Sequence, residues 1–173
     1  FQDASVSGLW SENGLSKAIN RATSLRNLIK TALLAEGHLQ ADAEGRITQQ
    51  AIARLDKSRL VGSLDAFFAA LEARGVLAFN ALPVLHAGRG KTREARRWHG
   101  FLERLLQGLR QKGITLVLWG RIAEDILALP GARHFRVLQS EHPYNVSFIH
   151  NPVMRRLFAD WRLLGSPAQG TGG

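Results

Sequence analysis

The chain has 173 residues, and its 23 Lys and Arg against 14 Asp and Glu leave a formal net charge of +9, enough protein for one ordinary domain with a basic surface. With 45% hydrophobic and 21% charged residues it is not a disordered polycation. The absence of cysteine excludes disulfides, thiolate nucleophiles, Cys-bearing zinc sites and thiolate-held iron–sulfur clusters. No apolar run approaches the ~18 residues of a membrane span, and no secretory segment opens the chain, so the expectation is a cytoplasmic globular protein with no membrane partner.

Apolar periodicity gives helices alternating with short apolar runs. SLRNLIKTALLAEG (24–37) places Leu25, Leu28, Ile29, Ala32 and Leu33 on one helical face, with Thr23 or Ser24 as cap and Gly37 as a left-handed exit. ITQQAIARLDK (47–57) reads as one or two helical turns and a loop. SLDAFFAALEARG (63–75) reads as a helix capped by Ser63, with Leu64, Phe67, Phe68 and Leu71 inward and Gly75 at its end. VLAFN (76–80) is short and apolar, which predicts a buried strand. HAGRGKTREARR (86–97) is a basic loop leading into a helix that continues to Gly113, with Trp98, Phe101, Leu102, Leu105, Leu106 and Leu109 inward.

ITLVLW (114–119) is a second predicted strand, ended by Gly120; RIAEDILAL (121–129) is a helix broken by Pro130; HFRVLQS (134–140) is a third strand. The loop EHPYNVSFIHNP (141–152) precedes a last helix, VMRRLFADWRLL (153–164), and SPAQGTGG (166–173) reads as a disordered tail. Apolar runs alternating with helices predict an α/β fold, a three-layer α/β/α sandwich around a central parallel sheet. In such folds ligands bind beyond the carboxyl ends of the strands. That rule singles out Asn80, Trp119-Gly120 and the His142 loop.

The pieces FNALPVLHAGRGKTREARRW (79–98), LVLWG (116–120) and HPYNVS (142–147), in that order, resemble the uracil-DNA glycosylase family. TSLRNLIK (23–30) resembles the same family's Pro-Pro-Ser-Leu-Arg-Asn segment, and the likeness extends over residues 23–160. It implies a base-excision repair enzyme that flips uracil out of DNA and cuts its N-glycosidic bond, without metal or other cofactor, acting as a monomer on uracil-containing DNA. The resemblance makes Asn80 the reader of the uracil edge, since an amide carries both a donor and an acceptor. It makes His142 the catalyst, a donor fixed beside the uracil oxygen where negative charge builds.

Val146 then corresponds to the leucine that fills the gap left in the base stack, as a shorter wedge. Tyr144 and Asn145 stand where the family has Ser-Pro, while Ser147 keeps a hydroxyl for a DNA phosphate. Arg89, Lys91 and Arg93, with Arg96 and Arg97, put five cations into nine residues beside Asn80. They suit a phosphate backbone and a steep salt dependence, against the blander reading of a solvated helix start. Trp119-Gly120 reads as structural, the glycine allowing close backbone approach.

The family's water-activating aspartate lies in a Gly-Gln-Asp-Pro-Tyr loop, which this sequence does not contain; Ala4-Ser5 follow Gln2-Asp3. A registration of the first residues makes Phe1 the aromatic that stacks on flipped uracil, with Trp10 as competitor. The expectation is then a glycosylase-like domain over 1–165 without its first strand, belonging to a longer polypeptide or pairing with another segment. A second reading is a catalytically weak or silent relative that binds DNA. A third is a nucleotide-binding α/β domain, against which the cations from Arg89 to Arg97 argue.

Overall fold

The computed structural model describes residues 8–80, 91–110 and 113–165, with 91–96 described in backbone only. The tail expected over 166–173 lies outside them. In chain order the elements are β1 (Trp10–Ser11), β2 (Gly14–Leu15), α1 (Lys17–Arg21), α2 (Thr23–Ala35), α3 (Gln49–Ala53), α4 (Leu64–Ala73), α5 (Lys91–Leu109), β3 (Thr115–Trp119), α6 (Ile122–Leu127), β4 (Arg136–Ser140) and α7 (Pro152–Trp161). Short 3-10 turns cover Pro130–His134 and Val146–His150. The chain divides into two compact units, one running to Leu77 and resuming at Pro143, the other spanning Ala78–His142.

The first unit is organised by α2. Leu25, Leu28, Ile29, Ala32 and Leu33 are all buried, as their spacing requires. The helix packs against α7 and the 146–150 turn, where the rings of Phe148 and Phe158 meet edge to face at 6.3 Å. The expected cap is corrected: neither Thr23 nor Ser24 caps α2. The preceding α1 abuts it, and Ala22 between them donates its N–H to the carbonyls of Ala18 and Ile19. Thr23 is therefore already helical. Ser63 does cap α4, accepting from Ala66 N at 3.1 Å, and Gly37 and Gly75 leave their helices at φ +77° and +71°. Leu64 and Phe67 are buried, while Phe68 and Leu71 are half-buried.

The C-terminal end of this unit is held by one carboxylate. Glu36 follows α2, and its side chain is only 4% exposed. Its Oε1 accepts from the N–H of Leu163 at 2.7 Å and of Leu164 at 3.0 Å, and its Oε2 accepts from Gly165 N at 3.1 Å. The side chain thus satisfies donors that α7 leaves beyond its last turn, 127 to 129 residues away.

In the second unit, α5 buries Leu102 and Leu106 against Leu118 of β3, Ala123 and Ile126 of α6, Leu129 and Ala132. Each such leucine contributes about 2 kcal/mol of transfer free energy. β3 and β4 pair in parallel, in register from Thr115↔Arg136 to Trp119↔Ser140. Glu103 of α5 accepts from Gly131 N at 3.0 Å and so fastens the crossover to the helix.

Two further expectations fail. Residues 76–80 are not a buried strand: Leu77 is 83% and Phe79 50% exposed, and no described strand pairs with them. An apolar run becomes a strand only when a neighbouring backbone accepts and donates its hydrogen bonds. Phe101, expected inside, is 46% exposed for a related reason, since its ring lies 6.2 Å from that of Phe79 on the open side of α5. Among the described residues no helix is long and apolar enough to cross a membrane.

Replacing Glu36 with Ala is expected to cost about 3 kcal/mol, because buried backbone donors lose a charged acceptor. A urea-unfolding series checks the magnitude. Hydrogen exchange at Leu163, Leu164 and Gly165 checks the place, since these amides should lose protection first.

Candidate functional site

Parallel pairing fixes where the second unit can act. β3 and β4 run the same way and stop in step, Trp119 opposite Ser140, so the segments leaving both strands emerge at one edge. The ladder extends by one bond there, Gly120 N donating to Ser140 O at 2.9 Å. The Ser140 hydroxyl then donates to the carbonyl of Glu141 at 3.0 Å, and His142 follows.

Gly120 lies directly against His142. It adopts φ +80°, and a methyl group placed on it would stand 3.1 Å from Cβ of His142 and 3.4 Å from its Cδ2. Only glycine serves both the left-handed backbone and the close approach. The close-approach role expected for Gly120 is therefore met, and His142 is what approaches it. Although His142 remains exposed overall, its partial burial lowers the imidazole pKa below the ordinary 6.5. Burial thus favours the neutral ring.

Asn80 belongs to the same unit and is exposed. The residue before it is held on α5, Phe79 facing Phe101 at 6.2 Å and Phe101 meeting Trp98 edge-on at 5.9 Å. Aromatic packing rather than a strand ladder thus carries Asn80. Lys91 and Arg93 open α5, and Arg97, the first cation of that helix whose side chain is described, is exposed. Arg89 and Phe1 lie outside the described residues. Trp10, the competitor of Phe1, donates its indole N–H to Val61 O at 2.8 Å, which gives it an architectural function.

In the first unit the loop after His142 is built from beneath. Asn27 of α2 is 1% exposed, and its Nδ2 donates to the carbonyls of Pro143 at 2.8 Å, Asn145 at 3.3 Å and Tyr144 at 3.4 Å. Arg26 Nε donates to Asn27 Oδ1 at 3.5 Å, which settles the amide orientation. Pro143, Phe148 and Ile149 are buried on either side of the loop, while Tyr144, Asn145, Val146 and Ser147 face outward. Val146, expected as the wedge, is 65% exposed.

Sequence reasoning assigned nothing to Asn27, although it stands in the TSLRNLIK segment that carried the family resemblance. The available signal was a polar residue between Leu25 and Leu28, on the inward side of an amphipathic helix. Among the described residues no group of three His, Asp or Glu side chains is arranged to hold a metal ion.

No model of a known protein family matches the chain. Over 76 residues it is 30% identical to the curated uracil-DNA glycosylases of Desulfitobacterium hafniense and Coxiella burnetii, a match that covers 43% of this chain and 34% and 33% of those proteins. The chain thus spans about a third of the length of the curated relatives it matches. The wild-type UNG crystal structure from Nitratifractor salsuginis superposes with a TM-score of 0.87 at 40% identity, covering 96% of this chain and 66% of that one. A point mutant of the same protein superposes equally well, with 67% of its chain covered.

The environment of His142 predicts two measurable effects. In an NMR titration its ring should show a midpoint below 6.5. A neutral imidazole favoured by the fold adds stability that is present above the unfolded pKa and is lost as pH falls through the folded one, so this contribution should decline below pH 6.5. Gly120→Ala should move that midpoint by displacing the ring, at about 1–2 kcal/mol for the left-handed backbone. Separately, Asn27→Ala should cost about 2–3 kcal/mol by orphaning its loop carbonyls, read as a lower urea midpoint with faster proteolysis between residues 143 and 147.

Proposed function

Because this chain belongs to the uracil-DNA glycosylase family, we propose that it acts in base-excision repair, hydrolysing the N-glycosidic bond of uracil flipped out of DNA. The observation that carries the reading is His142, set on Gly120 where two parallel strands end in register. The likeness to the Nitratifractor protein, at 40% identity, supports it. We read residues 1–165 as one glycosylase domain, a three-layer sandwich whose parallel sheet is central, in a monomeric cytoplasmic enzyme that needs no metal or cofactor.

In the reaction the bond between uracil N1 and the deoxyribose C1′ breaks, and its electron pair leaves with the base. Negative charge spreads from N1 onto O2 of the departing uracil. Water adds at C1′ and gives up one proton, so the products are an abasic sugar and a uracil anion that is later protonated. We assign to His142 the donation of a ring N–H to O2. A donor placed in advance where charge develops lowers the barrier without reorganisation, and the loss of one such donor typically costs about 10²–10³ in rate. We assign no residue of this chain to activation of the water.

Asn80 reads the base: its amide N–H can donate to uracil O4 while its carbonyl accepts from N3–H. Cytosine presents an amino group and an unprotonated nitrogen in those places, so the same side chain in that orientation is mismatched at both. Phe1 is assigned to stack on the flipped ring. Val146 enters the space the base has left, Ser147 donates to a phosphate, and Arg89, Lys91 and Arg93 hold the backbone beyond.

The test is base release from an oligonucleotide carrying one labelled uracil. Wild type should release uracil, His142→Ala should lower kcat by about 10²–10³, and Asn80→Asp should extend release to cytosine. Absence of uracil release, with salt-sensitive DNA binding intact, would favour instead a DNA-binding relative without catalysis. The Tyr144, Asn145 and Val146 departures are the features that fit that second reading.

A further inference from the structure

Where α2 ends beside α7, the first unit carries an open groove that nothing assigned to uracil uses. It consists of two neighbouring cavities of about 450 Å³ and 310 Å³, and His150 and Arg155 line both. Leu34 and Leu39 line the larger, while Ala35, Ala159 and Arg156 line the smaller. The origin of the groove is local. Gly37 takes the chain out of α2 at φ +77°, so the residues after it leave the helix. Alanines at 35 and 159 leave space between two helices that pack against each other.

The lining combines two kinds of surface. The leucines and alanines are apolar, and Arg155 and Arg156 are exposed cations. An arginine can cover apolar surface with its stem while its guanidinium stays at the water. Among the described residues neither arginine forms an ion pair, and no carboxylate lines either cavity. Glu36, between the lining residues Ala35 and Gly37, is committed to the amides of 163–165. The first amides of α7 are taken as well, since Asn151 Oδ1 accepts from Val153 N and Met154 N, each at 3.1 Å. The positive charge of the groove therefore comes from the two arginine side chains.

Charge and shape together select the occupant. A single nucleic-acid strand needs aromatic platforms for its bases beside the cations, and no Phe, Tyr or Trp lines either cavity. Aliphatic cavities beside two guanidinium groups suit a peptide that carries both carboxylates and aliphatic side chains. We propose that this groove docks an acidic, leucine-bearing peptide segment of a partner protein. Its carboxylates meet Arg155 and Arg156, and its aliphatic side chains enter the two cavities. The net charge of +9 also speeds encounter with an acidic partner. No residue of the groove belongs to the machinery assigned to uracil, and docking there requires no glycosylase chemistry.

A short fluorescein-labelled peptide of alternating Asp and Leu tests this by fluorescence anisotropy on the full chain. Arg155→Glu combined with Arg156→Glu should weaken binding about tenfold, whereas Arg155→Lys with Arg156→Lys should stay within about threefold of wild type. The same peptide with Ser in place of Leu should also bind about tenfold more weakly, because charge alone does not fill the cavities. In NMR spectra the Asp-Leu peptide should shift the methyl resonances of Leu34, Leu39 and Ala159. Equal binding of the Ser peptide, indifference to the charge reversal, or methyl shifts confined to residues outside the groove would overturn the proposal. So would an oligo-dT strand that displaces the peptide and loses its own affinity in the charge-reversed variant, which would assign the groove to nucleic acid. None of these readouts depends on uracil release, so their failure leaves the glycosylase reading standing.

Discussion

Parallel strands cannot be joined by a tight turn, and most of the second unit follows from that restriction. The chain must leave β3 at one end of the pair and come back to begin β4 at the other, so a crossover has to lie on the sheet. Here α6 and the turn that Pro130 begins make the crossover, and Leu118, Ala123, Ile126, Leu129 and Ala132 supply its core with α5. The same restriction brings the two carboxyl ends to one edge, where their register leaves Trp119 opposite Ser140. Gly120 and the His142 segment then meet through ordinary strand geometry. No separate device is needed to bring a histidine against a glycine 22 positions earlier.

Close approach at that edge has an electrostatic consequence. The Cβ of His142 lies against a residue without a side chain, and partial burial of the imidazole disfavours its charged form. A side chain at position 120 would press on the His142 side chain.

The first unit depends on a different economy, in which side chains of α2 satisfy backbone groups far away in sequence. Asn27 collects carbonyls of the 143–145 loop, and Glu36 collects amides of 163–165. Each replaces a partner that regular secondary structure would have provided, Asn27 from within α2 and Glu36 from the residue that ends it, and the apolar face of that helix packs against α7. This divides what could be read in advance from what could not. The face formed by Leu25, Leu28, Ile29, Ala32 and Leu33 was legible because helical periodicity is local. The duties of Asn27 and Glu36 were illegible because their partners stand more than a hundred residues off. β3 and β4 were legible as apolar runs for which pairing exists; VLAFN looked the same, yet no described strand pairs with it. Hydrophobicity alone cannot count hydrogen-bond partners. The hairpin of β1 and β2 escaped notice because two-residue strands have no period, and α1 because five residues give too short a pattern. Within the candidate site, motif order located His142 and Gly120, whereas only the fold relates one to the other.

A neutral histidine is the form that suits a reaction which begins without charge and creates an anion as it proceeds. On the proposed reading, an imidazolium at position 142 would attract the departing base more strongly, but it would also have to exist before the reaction, partly buried and within a chain of net charge +9. Desolvation opposes its protonation. A neutral ring avoids that cost in the ground state, when uracil O2 carries only a carbonyl dipole. It still presents an N–H dipole whose interaction strengthens as negative charge grows on the oxygen. Since only an interaction stronger in the transition state than in the ground state speeds the chemical step, a ring that burial keeps neutral fits the proposed role of His142.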